Sequence, residues 1–290
     1  EFHKIMKRMY IYISMTFILL INPVISAEKN KITRVIKEEL IFKSDFSSID
    51  HDSLTFSQNG RHLAYISKSG GQFCIILDGK KQKLYDLILK DSLLFSPDGS
   101  RFAYVVKIEN KYVVVIDEKE YPPFDEYCSH RPKMLFSPDS KHFAYINFYY
   151  EPYNFKRIVF DGKPYSIKHA GLSPIQYLTF SPDSKHLAYS ANGRVICDGK
   201  EGKQYSEITS LLFTPDSKNF IYGALTSLFD EYNNYKGTQS VLVINEKEEL
   251  RTISRIRCIS SSIDGTHLAY YIELSNMFYI DGKEIIMSDL

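Results

Sequence analysis

The sequence lacks the short motifs that mark the commonest enzyme sites. It contains no Gly-x-Ser-x-Gly elbow, no His-Glu-x-x-His helix, no phosphate-binding glycine loop and no dinucleotide fingerprint. Its four cysteines include no Cys-x-x-Cys pair and no Cys/His ligand cluster, which leaves a structural zinc site without support. These absences predict a protein with no cofactor, no metal and no catalytic residue that a motif would identify.

An excess of charge of either sign is also missing. The chain has 36 Lys and Arg against 35 Asp and Glu, a formal net charge of +1. Removal of residues 1–27 would change this to −1, because Glu1, Lys4, Lys7 and Arg8 would leave with them. A nearly neutral chain has no electrostatic reason to bind nucleic acid or an anionic membrane. Nucleic acid is therefore not the expected partner.

Long hydrophobic runs are absent apart from one near the N-terminus. Residues 6–27 have the features of a cleavable signal peptide: a basic start, an apolar run over 10–21 and a small-residue cleavage site at Ser26-Ala27. The run is short for a membrane span, and no second run follows it. We expect an exported protein, periplasmic or secreted, with one mature domain over 28–290. The alternative is a segment retained as an anchor.

What the sequence does contain is a repeated tight turn between two apolar segments. In its clearest copy, residues 95–99 read Phe-Ser-Pro-Asp-Gly, and Phe-Ala-Tyr follows at 102–104. Proline pre-sets φ, aspartate can bond its own backbone and glycine accepts positive φ, so the segment predicts two strands joined by a turn. The first residue of the motif is phenylalanine in five copies and serine in the sixth: Phe56, Phe95, Phe136, Phe180, Phe213 and Ser261.

The repeat has the length of a propeller blade. Successive first residues are 39, 41, 44, 33 and 48 positions apart, a mean of 41. Each copy continues with an Asp-Gly or equivalent turn between two further apolar segments, which is a strong hairpin signal. Repeats of about 40–45 residues with four strands are typical of β-propellers. We predict an all-β fold, a six-bladed β-propeller of four-stranded antiparallel blades.

These motifs resemble a known repeat. Phe-Ser-Pro-Asp-Gly/Ser followed by Leu-Ala-Tyr is similar to the WD40-like (PD40) propeller repeat of the TolB type, over nearly all of residues 46–287. The resemblance implies a six-bladed propeller, often exported and usually serving protein–protein contact, and it brings no catalytic residue. Unlike TolB, which has a separate N-terminal α/β domain, this chain has only residues 28–45 there. A strand from 38–47 beside the last blade, or the tail at 285–287, would close the ring.

Histidines and cysteines are interpreted as mainly structural. The cysteines occupy repeat positions that argue against disulfides, so we predict free and mostly buried thiols. One repeat position is shared by four histidines, an arginine and an asparagine, which indicates a structural role: His62, Arg101, His142, His186, Asn219 and His267. Three more histidines lie in connections between blades, where scattered exposed side chains are favoured over a three-histidine metal site: His51, His130 and His169.

Two aromatic segments are not explained by the repeat. Residues 147–155 and 224–240 are predicted as long loops between the second and third strands of blades 3 and 5. Loops carry function more often than strands, and tyrosine is favoured at recognition surfaces. The alternative is that both are extended hairpin strands packed on a neighbour. Together with basic residues of the connections, they predict a binding site with these contacts: Tyr149, Tyr150, Tyr153, Phe229, Tyr232, Tyr235, Arg131 and His169.

The sequence therefore favours a monomeric, exported binding or scaffold module. The expected partner is a protein, peptide or glycan in the cell envelope or outside the cell, bound on the face that carries the two aromatic segments. The alternative is an enzyme, a hydrolase or lyase, with an axial site built from loop residues of several blades. Approach of His130 and His169 to a carboxylate would favour that alternative.

Overall fold

The computed structural model describes residues 49–125, 134–149, 155–165, 175, 177–273 and 277–285. Their strands form six antiparallel sheets that follow one another along the chain. Sheets 1 to 3 contain the strands β1 (Thr55–Phe56), β2 (Leu63–Ser69), β3 (Gln72–Leu77) and β4 (Lys80–Tyr85); β5 (Leu87–Ile88), β6 (Leu94–Phe95), β7 (Phe102–Ile108), β8 (Lys111–Ile116) and β9 (Lys119–Glu120); and β10 (Met134–Phe136), β11 (Phe143–Tyr149), β12 (Phe155–Phe160) and β13 (Lys163–Tyr165).

The remaining three sheets repeat the same meander of neighbouring hairpins. Single 3₁₀ turns at His51–Ser53 and Lys90–Ser92 precede the first strands of the motif in sheets 1 and 2. Sheets 4 to 6 contain β14 (Leu178–Phe180), β15 (Leu187–Ala191), β16 (Arg194–Cys197) and β17 (Lys200–Glu201); β18 (Glu207–Phe213), β19 (Phe220–Phe229), β20 (Tyr235–Ile244) and β21 (Lys247–Thr252); and β22 (Ile256–Ser261), β23 (Leu268–Ile272), β24 (Met277–Ile280) and β25 (Lys283–Ile285).

The first turn of each repeat is held by its own aspartate. In sheet 2, Asp98 Oδ1 accepts a hydrogen bond from the Ser100 amide at 2.9 Å and another from Ser96 Oγ at 2.7 Å. Ser96 Oγ accepts in turn from the Arg101 amide. These bonds, the Ser100 amide first, hold the pKa of Asp98 well below its usual range. The predicted role in the turn is confirmed, and it recurs at four other aspartates: Asp139, Asp183, Asp216 and Asp264.

The polar repeat position joins the two turns of each sheet. His62 Nδ1 lies 2.7 Å from Asp78 Oδ2, and Asp78 Oδ1 accepts from the Leu63 amide at 2.9 Å. The Pro-Asp and Asp-Gly turns therefore lie at the same end of a sheet, and the repeat histidines are structural. The other sheets use equivalent pairs: Arg101–Asp117, His142–Asp161, His186–Asp198, Asn219–Asn245 and His267–Asp281.

The core lies between consecutive sheets. Along β7, Phe102, Tyr104 and Val106 pack toward sheet 1, whereas Ala103 and Val105 pack toward sheet 3. This alternation follows from the two-residue period of a strand. Similar clusters of buried residues join sheets 3 and 4, sheets 4 and 5, and sheets 5 and 6. Face-to-face packing of successive four-stranded sheets is the arrangement of blades in a β-propeller.

Consecutive sheets are also tied together at their first turns. The interface between two consecutive sheets is called a seam. In three seams the backbone amide of a turn aspartate donates to the turn serine of the next sheet over 2.9–3.1 Å: Asp98 to Ser140, Asp139 to Ser184 and Asp183 to Ser217. Each bond satisfies a backbone donor that the local turn leaves unpaired. The motif therefore has two functions, closing its own hairpin and joining neighbouring sheets.

Sheet 2 departs from the predicted four strands. Both β5 and β6 pair with β7, so its first strand is split by a 3₁₀ turn and the sheet has five strands. At the interruption, Ser92 Oγ accepts a hydrogen bond from the Val105 amide at 2.8 Å. Sheet 1 has the same interruption, where Ile49 bridges to Ser67 and Ser53 Oγ accepts from a β2 amide. A serine hydroxyl thus accepts the amide hydrogen bond that a backbone carbonyl of an uninterrupted first strand would accept. Strand periodicity does not predict this interruption.

Several predictions fall wholly or partly outside the described residues. Cys74 and Cys197 are free, as predicted, whereas Cys128 and the Cys258 side chain lie outside that part of the chain. The signal segment, the closing strand at 38–47 and the end of the tail also lie outside it. No helix of the described chain is long and apolar enough to cross a membrane.

Candidate binding site at the sheet 5 hairpin

Three predicted contact residues have described side chains, and all three lie at the tip of the β19–β20 hairpin: Phe229, Tyr232 and Tyr235. Tyr149 is the last residue of β11, and its side chain lies outside the description. Four others lie outside it entirely: Arg131, Tyr150, Tyr153 and His169. The cleft between two aromatic segments therefore stays a prediction, and the sheet 5 hairpin is the part with defined geometry.

The segment predicted as a loop at 224–240 is an extended hairpin. β19 and β20 pair as far as Phe229↔Tyr235, whereas the flanking strands β18 and β21 end at the row Leu225↔Ser240. Four further residue pairs project as a two-stranded ribbon, roughly 13 Å at 3.3 Å per residue. The loop prediction is wrong, because the turn-forming Asp and Asn residues are confined to the tip, whereas Gly237 pairs with Leu228 inside the ribbon. The alternative, extended strands, is the one observed.

Asp230 organises the turn at the tip. Its Oδ1 accepts hydrogen bonds from the amides of Tyr232 at 3.0 Å and Asn234 at 2.8 Å, and its Oδ2 pairs with Lys236 Nζ at 3.2 Å. The Asn234 amide is the main cause that lowers the pKa of Asp230. Asn233 has a φ of 64°, a left-handed conformation that asparagine tolerates. The turn is therefore ordered by its own side chains.

The ribbon is held at both of its ends. At the base, the Ser227 amide donates to Ser206 Oγ at 3.0 Å, and the Ser206 amide donates to the Leu225 carbonyl at 2.8 Å. Near the tip, the rings of Phe229 and Tyr235 meet edge to face, with centroids 6.1 Å apart at 70°. An isolated two-stranded hairpin is marginally stable in water. These contacts explain how the ribbon stays ordered without flanking strands.

The tip presents its aromatic rings to solvent. Phe229 is 57% exposed, Tyr235 is 61% exposed and Tyr232, at the apex, is 78% exposed. Tyrosine is enriched at protein interfaces because one ring offers a large apolar face and a hydrogen-bonding hydroxyl. The arrangement can hold apolar or aromatic groups of a partner and bond polar groups at the same contact. It contains no acid–base or nucleophilic pair.

Asp230 is a functional position that the repeat does not mark, although a local signal for it exists in the sequence. Aspartate accepts hydrogen bonds from amides two residues ahead in Asx turns, and two asparagines follow it at 233–234. A segment of Asp-x-x-Asn-Asn between two runs of strand-forming residues indicates a hairpin turn more directly than a long loop. That signal would have placed the aromatic residues on strand ends.

The opposite end of the sheets carries the His–Asp pairs, which resemble acid–base pairs in composition. In sheet 6 the contact with Asp281 raises the pKa of His267, and the same contact lowers that of Asp281. The thiol of Cys197, beside Asp198, has its pKa raised to about 11, chiefly by burial, so it is protonated at neutral pH. The described residues contain no group of three His, Cys, Asp or Glu suited to a metal. The enzyme alternative stays a prediction.

No family model matches the chain, and no curated protein matches its sequence. Among solved structures, a eukaryotic initiation factor is similar over 76% of this chain at 12% identity, with a TM-score of 0.45. The chain spans 58% of the length of that protein, less than two thirds. The β-propeller domain of Cps50 (Swd1) from Myceliophteria thermophila is similar over 80% of this chain and 83% of that domain, at 15% identity and a TM-score of 0.36.

The sheets themselves define the class of protein. The described residues form an all-β fold of successive, mostly four-stranded antiparallel sheets that pack face to face.

Proposed function

We propose that the chain is a six-bladed β-propeller that serves as an exported binding or scaffold module. Support for a closed ring comes from sheets 1 and 6, each of which has an apolar face not covered by another described sheet. On sheet 1, Phe56 is 62% exposed, whereas Phe95 at the same repeat position of sheet 2 is 9% exposed. On sheet 6, Phe278 is 38% exposed, whereas Val114 at the same repeat position of sheet 2 is 1% exposed. Closure would bring these two faces together and remove them from water.

The observation that carries the binding function is the ordered aromatic tip of the sheet 5 hairpin. Its rings are exposed, yet the strands and turn that present them are fixed by hydrogen bonds. Such preorganisation reduces the ordering entropy lost on binding. With Asp230 and Lys236 paired to each other, the contact relies on ring faces and hydroxyls more than on net charge. The partner class is a protein, peptide or glycan.

The proposed surface extends beyond the hairpin tip. Sheet 3 has the corresponding hairpin, formed by β11 and β12, and the predicted contacts of that segment complete the surface together with two basic residues: Tyr149, Tyr150, Tyr153, Arg131 and His169. Export to the periplasm or medium is proposed from the signal-like segment at 6–27. The protein is proposed to act as a monomer.

The test is partner capture by a tip variant. Tyr232→Ala removes the most exposed ring of the tip and leaves the Asp230 turn and the Phe229–Tyr235 ring contact intact. Mature protein is immobilised, exposed to cell-envelope extract and to peptide and glycan arrays, and the bound species are quantified. We expect the variant to lose roughly tenfold or more of the specific capture, since central aromatic contacts dominate interface energetics.

The matched control is Ile263→Ala. Ile263 is 79% exposed and lies in the first turn of sheet 6, at the end of the sheets opposite the aromatic tip. The control variant should capture the same species as the wild type. Both variants should keep the wild-type circular dichroism spectrum and melting temperature, because the truncated side chains are exposed. Equal capture by the tip variant and the wild type would contradict the proposal. Unfolding of the tip variant would show that the rings have a structural role.

A further inference from the structure

A cavity of about 500 Å³ lies between sheets 5 and 6. The equivalent space between sheets 1 and 2 is a groove of about 290 Å³. The two spaces are lined by residues at the same repeat positions, including Asn219 with Ser261 in the first and His62 with Phe95 in the second. The difference in volume is therefore due to side chains and not to a different arrangement of strands.

The cavity between sheets 5 and 6 lacks an aromatic ring that occupies the equivalent space in the other seams. In the other seams, the first phenylalanine of the motif packs toward the preceding sheet. The ring of Phe95 stacks 6.3 Å from His62, and that of Phe180 lies 6.1 Å from Phe160. The sixth copy has Ser261 at this position, so no ring enters the seam between sheets 5 and 6 from the first residue of the motif.

Two further substitutions enlarge the same space. Leu268 stands where sheet 2 has Phe102, and Gly282 stands where it has Glu118. The walls of the cavity combine an aliphatic part, formed by Leu268 with Ile221 and Leu242 among others, with polar side chains that include Asn219 and Glu249. Such a lining suits a small molecule with an apolar body and a polar group, and about 500 Å³ lies within the usual range of small-molecule sites.

The cavity also contains a buried polar group. In sheet 2, the Tyr104 hydroxyl donates to Gln82 Oε1 at 3.3 Å. Its equivalent in sheet 6, Tyr270, is 5% exposed and lines the cavity. Its hydroxyl has no hydrogen-bond partner within the described chain. Glu249, at the position of Gln82, is instead paired with Lys247 at 2.9 Å. A buried hydroxyl without a partner is unfavourable, and a ligand that bonds it would be favoured.

We propose that this cavity binds one aromatic ring that carries a hydrogen-bonding group, as a phenol does. The ring fills the space that phenylalanine fills in the other seams, and its polar group bonds the Tyr270 hydroxyl. Such a ring belongs either to a small free phenol or to a tyrosine side chain of a partner polypeptide. The site is at the opposite end of the sheets from the aromatic tip and is independent of the function proposed above.

The test compares two probes that differ by one hydroxyl. Binding of p-cresol and of toluene to the mature protein is measured by nuclear magnetic resonance titration. We expect p-cresol to bind roughly fivefold more tightly than toluene, which corresponds to one net hydrogen bond. In Tyr270→Phe the two probes should bind equally. In Ser261→Phe neither probe should bind, and the melting temperature should rise because the introduced ring fills the cavity.

Control variants make the same chemical changes outside the cavity and outside the aromatic tip. Ser100→Phe, at an exposed position, and Tyr121→Phe, at a half-buried position between sheets 2 and 3, should bind both probes as the wild type does. If Ser261→Phe does not fold, Ser261→Leu partly fills the same space and should weaken both probes. Retained p-cresol binding in the folded Ser261 variant, or absence of p-cresol binding in the wild type, would overturn the proposal. Unchanged preference for p-cresol in Tyr270→Phe would overturn the phenol specificity.

The same titration distinguishes the two sources of the ring. N-acetyl-tyrosinamide presents the phenol on a peptide backbone, whereas p-cresol lacks that backbone. Binding of N-acetyl-tyrosinamide at least as tight as that of p-cresol, with the same dependence on Ser261 and Tyr270, supports a tyrosine of a partner polypeptide. Binding of p-cresol alone supports a small free phenol.

Discussion

The first phenylalanine of the motif offers a comparison of one side chain in two environments. Phe95 and Phe56 occupy the same repeat position, each paired with the first residue of the following strand. Phe95 is 9% exposed, and its ring lies 4.6 Å from that of Phe102. Phe56 is 62% exposed. Ring closure, as proposed above, would cover Phe56 with sheet 6, so we predict that replacement by alanine is about as destabilising at position 56 as at position 95.

The magnitudes follow from burial. Replacement of a buried phenylalanine by alanine typically lowers the free energy of unfolding by about 3–5 kcal/mol, from lost transfer energy and the cavity left behind. Phe95 borders the groove between sheets 1 and 2, so we expect the lower end, about 3 kcal/mol. Phe56 is mostly exposed among the described sheets, which by itself would give a loss of about 1 kcal/mol or less, whereas closure of the ring would bring the loss close to that at Phe95.

The assay is urea unfolding, followed by circular dichroism and by the fluorescence of the 22 tyrosines, since the chain has no tryptophan. The comparison requires coincident transitions and equal m-values, because repeat arrays can depart from two-state unfolding. Losses of similar size at Phe95 and Phe56 would support closure of the ring between sheets 1 and 6. A loss of about 1 kcal/mol or less at Phe56, beside about 3 kcal/mol at Phe95, would refute it.

Three further predictions concern turns and polar contacts. Gly193→Ala should lower the free energy of unfolding by about 2 kcal/mol or more, because the residue has a φ of +70° and a Cβ would lie 2.1 Å from the Tyr205 carbonyl oxygen; an unchanged melting temperature would contradict it. Tyr205→Phe removes the hydroxyl that donates to Glu248 Oε1 at 2.9 Å, and should cost about 1.5 kcal/mol at pH 7 in urea unfolding, with no loss contradicting the bond. The raised pKa of His267 means that its pairing with Asp281 stabilises the fold fully below the unfolded value of about 6.5 and loses this effect as pH rises through the folded value. Asp281→Asn should therefore lower the midpoint of the His267 imidazole titration seen by nuclear magnetic resonance, and an unmoved midpoint would count against the pair.

The local architecture could be predicted from sequence because its causes are local. Asp98 and Ser96 bond within five residues, so the motif contains all the atoms that fix its turn. Alternation of large and small residues along β7 follows from strand period alone. The equivalence of His62 and Arg101 also indicated a structural position, although the aspartate partner of each was not predicted.

The hairpin of sheet 5 shows where local patterns become ambiguous. Its aromatic residues were identified as unexplained by the repeat, and three of them are exposed as a contact surface requires. Whether the segment was loop or strand depended on pairing between residues such as Thr226 and Gln239, which are thirteen positions apart. The anchoring contact of Ser227 with Ser206 is more distant still. Pairing of this kind is decided by chain folding and not by composition.

By itself the sequence determined the turns, the strand periodicity and the number of repeats, because each depends on residues within one motif or one hairpin. The tertiary structure alone decided what the side chains of one sheet meet on the next. The replacement of phenylalanine by Ser261 was visible in the sequence, but its consequence was not. The cavity exists because the ring that should enter the seam comes from sheet 6, while Asn219 and Leu242, which it would cover, belong to sheet 5. Van der Waals contact acts only between atoms that folding has already brought together, so a missing contact appears only in the folded chain.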